Sequence, residues 1–201
     1  MKLNAFEFYL MNNPIRAAIQ RHYEAPSLER LAFAPVEGAH VLEIGCGRGV
    51  GSQIILERFG AARVDAFDLD ERMVERARAR LGRYGDRVNL WVGSATAIPA
   101  EDATYDAVFD FGIIHHIPRW REALDEVARV LKPGGQFFFE EVLRDALDRP
   151  SFQRFTDHPK DDRFDSATFI KEIEARGIAV ADHRKTLLGD EYLIAVGRKA
   201  A

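Results

Sequence analysis

Three closely spaced glycines and two carboxylates are the residues whose types and spacing first suggest chemistry. Gly45, Gly47 and Gly49 follow a short apolar stretch that contains Glu43, and Asp68 comes 23 residues after Gly45. Glycine lets the backbone turn tightly and lets a ligand approach without meeting a Cβ atom. A carboxylate at the end of the following strand can accept hydrogen bonds from both hydroxyls of a ribose. The pattern favours a nucleotide-containing ligand over a glycine turn that binds nothing.

Two ligand classes share this layout, NAD and S-adenosylmethionine. The dinucleotide pattern requires glycine or alanine three residues after the second glycine, where this chain has Val50. Burying Glu43 is costly unless it binds something polar, and a sulfonium ligand with an amino group would give it that role. Asp68 could instead cap a helix, but Asp70 is better placed to do so. The residues therefore favour S-adenosylmethionine, with NAD as the alternative.

Two adjacent histidines and two adjacent glutamates are the candidates for acid–base chemistry. His115 and His116 follow the fourth predicted strand, and Glu140 and Glu141 end the fifth. We expect these strand ends to lie at the ligand-binding edge of the sheet. His115, His116 or Glu140 would be catalytic if the acceptor needs a general base. Alternatively, one histidine could simply cap or pack and the other could only contact the cofactor, and Glu141 could be an exposed strand end.

A metal site is not predicted. His158 and Asp157 could join the histidine pair, but together they show no recognisable metal-ligand spacing. Cys46 is the single cysteine, so no internal disulfide is possible and a reducing compartment is expected. We interpret Cys46 as a small packing residue of the glycine turn.

Alternating strand and helix patterns must position these residues. The predicted strands are 41–44, 64–68, 88–92, 107–111 and 136–142, and the predicted helices are 49–59, 71–81, 119–131 and 166–176. Such alternation predicts a parallel sheet covered on both faces. Two last strands, 178–185 and 191–198, are joined by a link too short for a crossover, so they must be antiparallel. The fold class is therefore α/β, doubly wound, with a mostly parallel seven-stranded sheet and an antiparallel C-terminal hairpin strand.

The N-terminal region is predicted to form short helices. Asn4 and Glu7 resemble a capping box, Asn13-Pro14 is typical of a helix start, and Pro26 is expected to stop that helix. We predict a single domain, 1–201. It comprises an N-terminal helical lid (1–35), a cofactor-binding core (40–142), a substrate-side insert (143–165), and a C-terminal helix and hairpin (166–201).

Composition restricts the partners and the location. The formal charge of -4, with 28 basic and 32 acidic residues, gives no basic excess, so no nucleic-acid partner is expected. Residues 1–10 lack the apolar stretch of a signal peptide, and the cytoplasm is the expected location. The apolar residues near the N-terminus could cover the ligand or, if exposed, make peripheral contact with a membrane.

The ordered set of motifs resembles the class I S-adenosylmethionine-dependent methyltransferases. The matching segments are 41–49, 67–73, 93–99, 105–116 and 129–135, in the family's order. The resemblance implies that Gly45, Cys46, Gly47 and Gly49 lie near the cofactor, and that Glu43 lies beneath its amino end. It also implies that Asp68 binds the ribose, that Leu69, Met73, Ser94 and Ala95 border the adenine, and that Phe111 and Gly112 lie near the methionine part. Many family members have an acidic residue where this chain has Ser94, so a weaker adenine contact is expected.

The leading hypothesis is methyl transfer from S-adenosylmethionine to a small-molecule or lipid-like acceptor, with catalysis mainly by positioning. One alternative is an NAD-dependent oxidoreductase, and another is a non-catalytic module that keeps the fold. The residues leave the acceptor atom and the oligomeric state open.

Overall fold

The computed structural model describes residues 13–155 and 158–201. The strands are β1 (His40–Ile44), β2 (Arg63–Asp68), β3 (Val88–Val92), β4 (Tyr105–Phe111), β5 (Leu131–Val142), β6 (Ile178–Ala179), β7 (Arg184–Leu187) and β8 (Tyr192–Lys199). Within the described ranges these eight strands form one sheet in the order β3-β2-β1-β4-β5-β8-β6, and β7 also pairs with β8. Strands β1 to β5 are parallel, whereas β8 is antiparallel to β5. The predicted α/β class, with a mostly parallel sheet and an antiparallel C-terminal end, is confirmed.

The register brings the predicted site segments to one edge. Ile44 of β1 lies opposite Phe67 of β2 on one side and Asp110 of β4 on the other. The residues that follow these three strands therefore meet where the order reverses, which is the place where open α/β sheets bind ligands.

Helices cover the sheet. They are α1 (Pro14–Ile19), α2 (Ala25–Leu31), α3 (Val50–Glu57), α4 (Glu71–Leu81), α5 (Trp120–Val130), α6 (Arg144–Leu147), α7 (Pro150–Phe155) and α8 (Ser166–Glu174). The predicted caps are found: Asn13 accepts from the Ile15 amide and Asp70 from the Arg72 amide. None of the helices within the described ranges is long and apolar enough to cross a bilayer.

The prediction that Pro26 stops the first helix is wrong. A π-helical turn, Gln20–Glu24, joins α1 to α2, and Pro26 lies in the first turn of α2. Proline lacks an amide hydrogen and clashes with the preceding turn of a regular helix. In the first turn of a helix it is tolerated, so the chain continues to Leu31. The predicted capping box at Asn4 and Glu7 lies outside the described residues, as do the apolar side chains of residues 6–11.

The predicted strand 178–185 is two strands, which is why the sheet has one strand more than expected. Ala181 has a φ of 47°, in the left-handed region, where extended pairing is interrupted. β6 and β7 therefore pair separately with β8.

Aromatic side chains of β5 divide the core between the two faces of the sheet. Phe137 and Phe139 pack in the cluster that contains Trp120 of α5. Phe138 points to the other face, where its ring stacks on Phe109 with centroids 4.3 Å apart. Alternate residues of β5 thus pack on opposite faces of the sheet. The strands that carry the predicted site are therefore packed on both faces.

Candidate active site

The glycine turn follows β1 and leads into α3. Gly45, Gly47 and Gly49 have φ values of 70°, 50° and 82°, a region that other residues rarely adopt. A Cβ atom on Gly45 would lie 2.5 Å from Ile113 Cγ2, whereas one on Gly47 would meet nothing within 4 Å. Gly47 therefore borders open space that a ligand can enter. Gly49 was expected near the cofactor, but a Cβ there would meet Leu81 and the Ala77 backbone, so it serves the packing of α3 against α4.

Asp68 is hydrogen-bonded to the glycine turn and borders the open space in front of Gly47. Its carboxylate accepts the amides of Gly47 and Asp70, each at 2.9 Å. Asp70 caps α4, so Asp68 is not needed as the cap. Burial raises the pKa of Asp68 above its usual value, against the lowering effect of these amides.

A cavity of about 270 Å³ opens between Asp68 and the end of β3. We call it the Asp68 cavity. Its lining includes residues predicted to lie near the cofactor: Gly45, Gly47, Asp68, Leu69, Met73, Ser94 and Ala95. Ser94 Oγ lies 2.9 Å from Thr96 Oγ1, so this serine bonds within its own turn. The structure thus brings these predicted residues into one concave surface.

A smaller cavity, of about 50 Å³, lies beneath the glycine turn, and we call it the Glu43 cavity. Glu43, Cys46, Phe111 and Arg16 are among its lining residues. Glu43 is 1% exposed and accepts a hydrogen bond from the Ser52 hydroxyl. Burial raises the pKa of Glu43 to about 8. Burial also raises the pKa of the Cys46 thiol, which agrees with a packing role.

A third cavity, of about 620 Å³, contains the candidate catalytic residues, and we call it the histidine cavity. Its polar lining comprises Arg16, Glu24, His115, His116, Glu140, Glu141 and His158, and its apolar lining includes Ile19, Tyr23, Phe152, Leu187, Leu188 and Leu193. Gly112 and His116 also line the Asp68 cavity. The two cavities therefore adjoin at this wall.

Glu141 is buried, not an exposed strand end. It accepts the backbone amides of Ile114, at 2.8 Å, and His115, at 3.2 Å, and it also contacts His115 Nδ1. Burial raises its pKa to about 7. Burial and the proximity of Glu141 raise the pKa of Asp110 well above its usual value. Asp110 Oδ2 has no hydrogen-bond partner among the described side chains and backbone. A proton on Asp110 that is hydrogen-bonded to Glu141 would remove the repulsion between the two carboxylates and would satisfy the unpartnered oxygen.

The other glutamate of β5, Glu140, is paired with a residue near the N-terminus. Arg16 of α1 donates to Glu140 at 2.6 Å and to Glu24 at 2.5 Å. Burial opposes the charge of Arg16, but the two carboxylates raise its pKa. Burial and Glu24 raise the pKa of Glu140 well above its usual value. This network closes one side of the histidine cavity.

The residues present fit a nucleoside cofactor. Open space in front of Gly47, beside a carboxylate at the end of β2, is a cradle that a Cβ atom would fill. Sheet order, glycine turn and cavities together define an α/β protein of the doubly wound class with a cavity at its switch point that fits a nucleoside.

Comparison with known proteins identifies the family. Residues 41–135 match the family model described as "Methyltransferase domain". The fatty-acid O-methyltransferase of Mycolicibacterium smegmatis is 37% identical over 123 residues, which cover 61% of this chain and 44% of that protein. The ubiquinone/menaquinone biosynthesis C-methyltransferase UbiE of Paracoccus denitrificans is 33% identical over 158 residues, which cover 74% of this chain and 62% of that protein. The chain thus spans about half the length of these curated relatives.

A solved structure agrees in fold. The S-adenosylmethionine-dependent methyltransferase of Aquifex aeolicus is 21% identical, with a TM-score of 0.76 over 98% of this chain and 99% of that one. Residues 41–135 therefore match the methyltransferase domain family, and the fold is that of the class I S-adenosylmethionine-dependent methyltransferases. The cofactor of this family is S-adenosylmethionine.

Sequence reasoning missed some residues of the site. Arg16 lies 124 residues from Glu140, and nothing near Arg16 in the sequence indicates that contact. Asp110 lies inside a predicted buried strand. A buried carboxylate needs a polar partner, so its position in the sequence could have indicated a site residue. His158, a possible partner of the histidine pair in the sequence, lies beside both predicted histidines.

Proposed function

We propose that this protein transfers a methyl group from S-adenosylmethionine to an amphipathic small-molecule or lipid-like acceptor held in the histidine cavity. The observation that carries this proposal is the wall of Gly112 and His116, which lines both the Asp68 cavity and the histidine cavity. A cofactor in the first and an acceptor in the second would meet there.

The cofactor contacts follow from the two smaller cavities. Asp68 would accept the ribose hydroxyls, Leu69 and Met73 would flank the adenine, and Ser94 and Ala95 would border its edge. In the Glu43 cavity, Glu43 and Phe111 would lie beside the methionine part. Ionised Glu43 would stabilise its amino group, which gives the buried carboxylate a partner.

The lining of the histidine cavity supports an acceptor with an apolar body and a polar head. Ile19, Tyr23 and Leu188 line the cavity and are also 45%, 40% and 73% exposed, so apolar surface continues from the cavity to solvent. Relatives are named for lipid-like acceptors, a fatty acid and a phthiotriol dimycocerosate among them. The acceptor's polar head would face the histidines and Glu140.

Catalysis would come mainly from positioning. The bound sulfonium supplies an already activated methyl group, so the chain's residues need to align the acceptor and exclude water. Burial lowers the pKa of His115 and of His116 well below the usual value, so both imidazoles are neutral and can accept a hydrogen bond from the acceptor. Glu140 is held by Arg16 and would shape the polar end of the cavity.

Cofactor binding is tested by calorimetry with S-adenosylhomocysteine. Asp68→Ala should weaken binding about 10- to 100-fold, because hydrogen bonds to a charged group contribute about 1.5–3 kcal/mol. Asp86 is exposed and lines none of the three cavities, so Asp86→Ala is the matched control and should bind as the wild type does. Equal affinity in both variants would remove the ribose assignment.

Methyl transfer is tested with labelled S-adenosylmethionine and a cell extract that is afterwards separated into lipid, small-molecule, RNA and protein fractions. We expect label above the Asp68→Ala control in the lipid or small-molecule fraction. Label in RNA or protein would contradict the acceptor class. Cofactor binding without label in any fraction would favour the non-catalytic alternative, and a thermal shift with NADH but not with S-adenosylhomocysteine would revive the oxidoreductase alternative.

A further inference from the structure

Three histidine side chains converge in the histidine cavity. Each of His115, His116 and His158 offers a ring nitrogen, and these nitrogens all lie within 4.8 Å of one another. The ring centroids are 4.2 Å apart for the adjacent pair, and His158 lies 5.3 Å from His115 and 4.4 Å from His116. Half of the six histidines of the chain therefore meet at one point.

Separate parts of the chain build this cluster. His115 and His116 belong to a 3-10 turn, Ile114–His116, directly after β4, and His158 lies in the segment between α7 and α8. His115 is buried, and the other two are half-buried. The histidine pair, His158 and Asp157 show no recognisable metal-ligand spacing in the sequence, so the sequence does not predict a metal site.

The carboxylate of Glu141 contacts one histidine of the cluster. Glu141 contacts Nδ1 of His115 and accepts that residue's backbone amide at 3.2 Å. In metal sites a ligating histidine usually donates its second ring N–H to a carboxylate, which fixes the tautomer and the ring orientation. With Nδ1 directed to Glu141, Nε2 of His115 is the nitrogen left for a ligand. This arrangement is an outer-shell contact of the kind that metal-bound histidines have.

We propose that His115, His116 and His158 bind a first-row transition-metal dication, such as Zn²⁺, in the histidine cavity. Bound imidazole nitrogens lie about 2.0–2.1 Å from Zn²⁺, so the three nitrogens need only a modest contraction from their present separation. Among the described residues that line the cavity, Arg16 carries a positive charge that would oppose a metal, and Glu24 and Glu140 compensate that charge. Within the described ranges the cluster has no ligand besides the three imidazoles, and three such ligands leave a coordination position open on a tetrahedral metal.

The open position would give the metal a role in the reaction. A metal at this point would be a Lewis acid in the cavity assigned to the acceptor, suited to an acceptor whose polar head carries an oxygen donor. This role rests on the proposed function, whereas metal binding itself does not.

The test is a titration of the tag-free, chelator-treated full chain with Co²⁺, without cofactor or acceptor, followed by the visible absorption of the metal. We expect one Co²⁺ per chain and loss of the absorption when Zn²⁺ is added. Loss of an outer-shell partner typically weakens metal binding about 10- to 100-fold. His158→Ala removes a ligand itself and should weaken Co²⁺ binding by more than this. Glu141→Gln should weaken it within that range.

His22→Ala is the matched control, because His22 is exposed on the π-helical turn and outside the cluster; it should bind Co²⁺ as the wild type does. His116→Ala provides a second ligand variant if His158→Ala is misfolded by circular dichroism. Absence of the absorption in the wild type, or equal affinity in the ligand variants and the control, would overturn the proposal. Failure here leaves S-adenosylhomocysteine binding unaffected, so the two proposals fail separately.

Discussion

At the scale of single residues, Glu43 connects cofactor binding to pH. Its pKa of about 8 means that the carboxyl is protonated at pH 6, while the amino group of the ligand favours the ionised form. Binding must then release a proton. We expect the affinity for S-adenosylhomocysteine to rise by up to about tenfold per pH unit between about pH 6 and 7.5, a range in which an ordinary α-amino group stays charged. Calorimetry in buffers of different ionisation enthalpy measures the affinity and the released proton.

Glu43→Gln is the control for this pH dependence, since it keeps the side chain's size and removes its charge. It should bind more weakly at pH 7.5 and show little dependence on pH. In the ligand-free chain the sign for stability is the opposite. A carboxyl whose folded pKa is raised contributes stability that is present below its unfolded pKa, 4.5, and lost as the pH rises through about 8. An equally steep pH profile in the variant would show that Glu43 is not the group.

At the scale of elements, Gly51 shows how α3 fits against the site. A Cβ atom there would lie 2.7 Å from Phe111 Cδ2 and would also overlap the Glu43 carboxylate. Alanine normally stabilises a helix relative to glycine, but overpacking costs about 1–3 kcal/mol. We therefore expect Gly51→Ala to lower the free energy of unfolding by about that amount, as measured from urea denaturation midpoints.

Gly82 provides the comparison for this substitution. It ends α4 with helical angles, φ -54° and ψ -28°, and a Cβ atom there would meet nothing within 4 Å. Gly82→Ala should raise stability by about 0.4–1 kcal/mol, because it restricts the unfolded chain without native strain. A Gly51→Ala variant as stable as Gly82→Ala would contradict the close packing of α3 on β1 and β4.

Elements with local signals could be predicted from the sequence. Asn13 and Asp70 cap helices where they were expected to, because capping depends on neighbouring residues alone. The effect of Pro26 could not be predicted, since its outcome depends on a π-helical turn in the preceding residues. The division between β6 and β7 is similar: β8 pairs with both segments, and that tertiary pairing is invisible in the apolar pattern of 178–185.

At the scale of the whole molecule, the candidate site combines residues that the sequence shows and contacts that it hides. Asp68 and the glycines are close in sequence to the strand ends that position them. His158 reaches the histidine pair, and Arg16 reaches Glu140, only through the fold. Such contacts join the N-terminal helices and the segment after β5 to the sheet, so the histidine cavity exists only when the complete domain is assembled.

Arg16 should therefore stabilise the whole domain through this connection. Arg16→Met leaves Glu140 buried without its cation, and breaking such a pair costs at most about 3–5 kcal/mol. Arg16 is 21% exposed, so we expect less than this maximum. Because burial raises the pKa of Glu140, the carboxyl can stay neutral in the folded variant at low pH. The loss of stability should be small near pH 5 and should grow as the pH rises toward 8. Over this range the Glu140 carboxyl is ionised in the unfolded chain, whereas the folded variant keeps it protonated.

The double variant Arg16→Met/Glu140→Gln isolates that pair. With no carboxylate left at position 140, most of the lost stability should return, and the growth of the deficit with pH should disappear. Urea denaturation of the wild type, both single variants and the double variant between about pH 5 and 8 gives the coupling energy at each pH. A deficit that is independent of pH and persists in the double variant would mean that Arg16 acts by packing its aliphatic stem. A coupling energy that rises with pH would mean that the charge of Arg16 holds the N-terminal helices on the sheet and closes the histidine cavity.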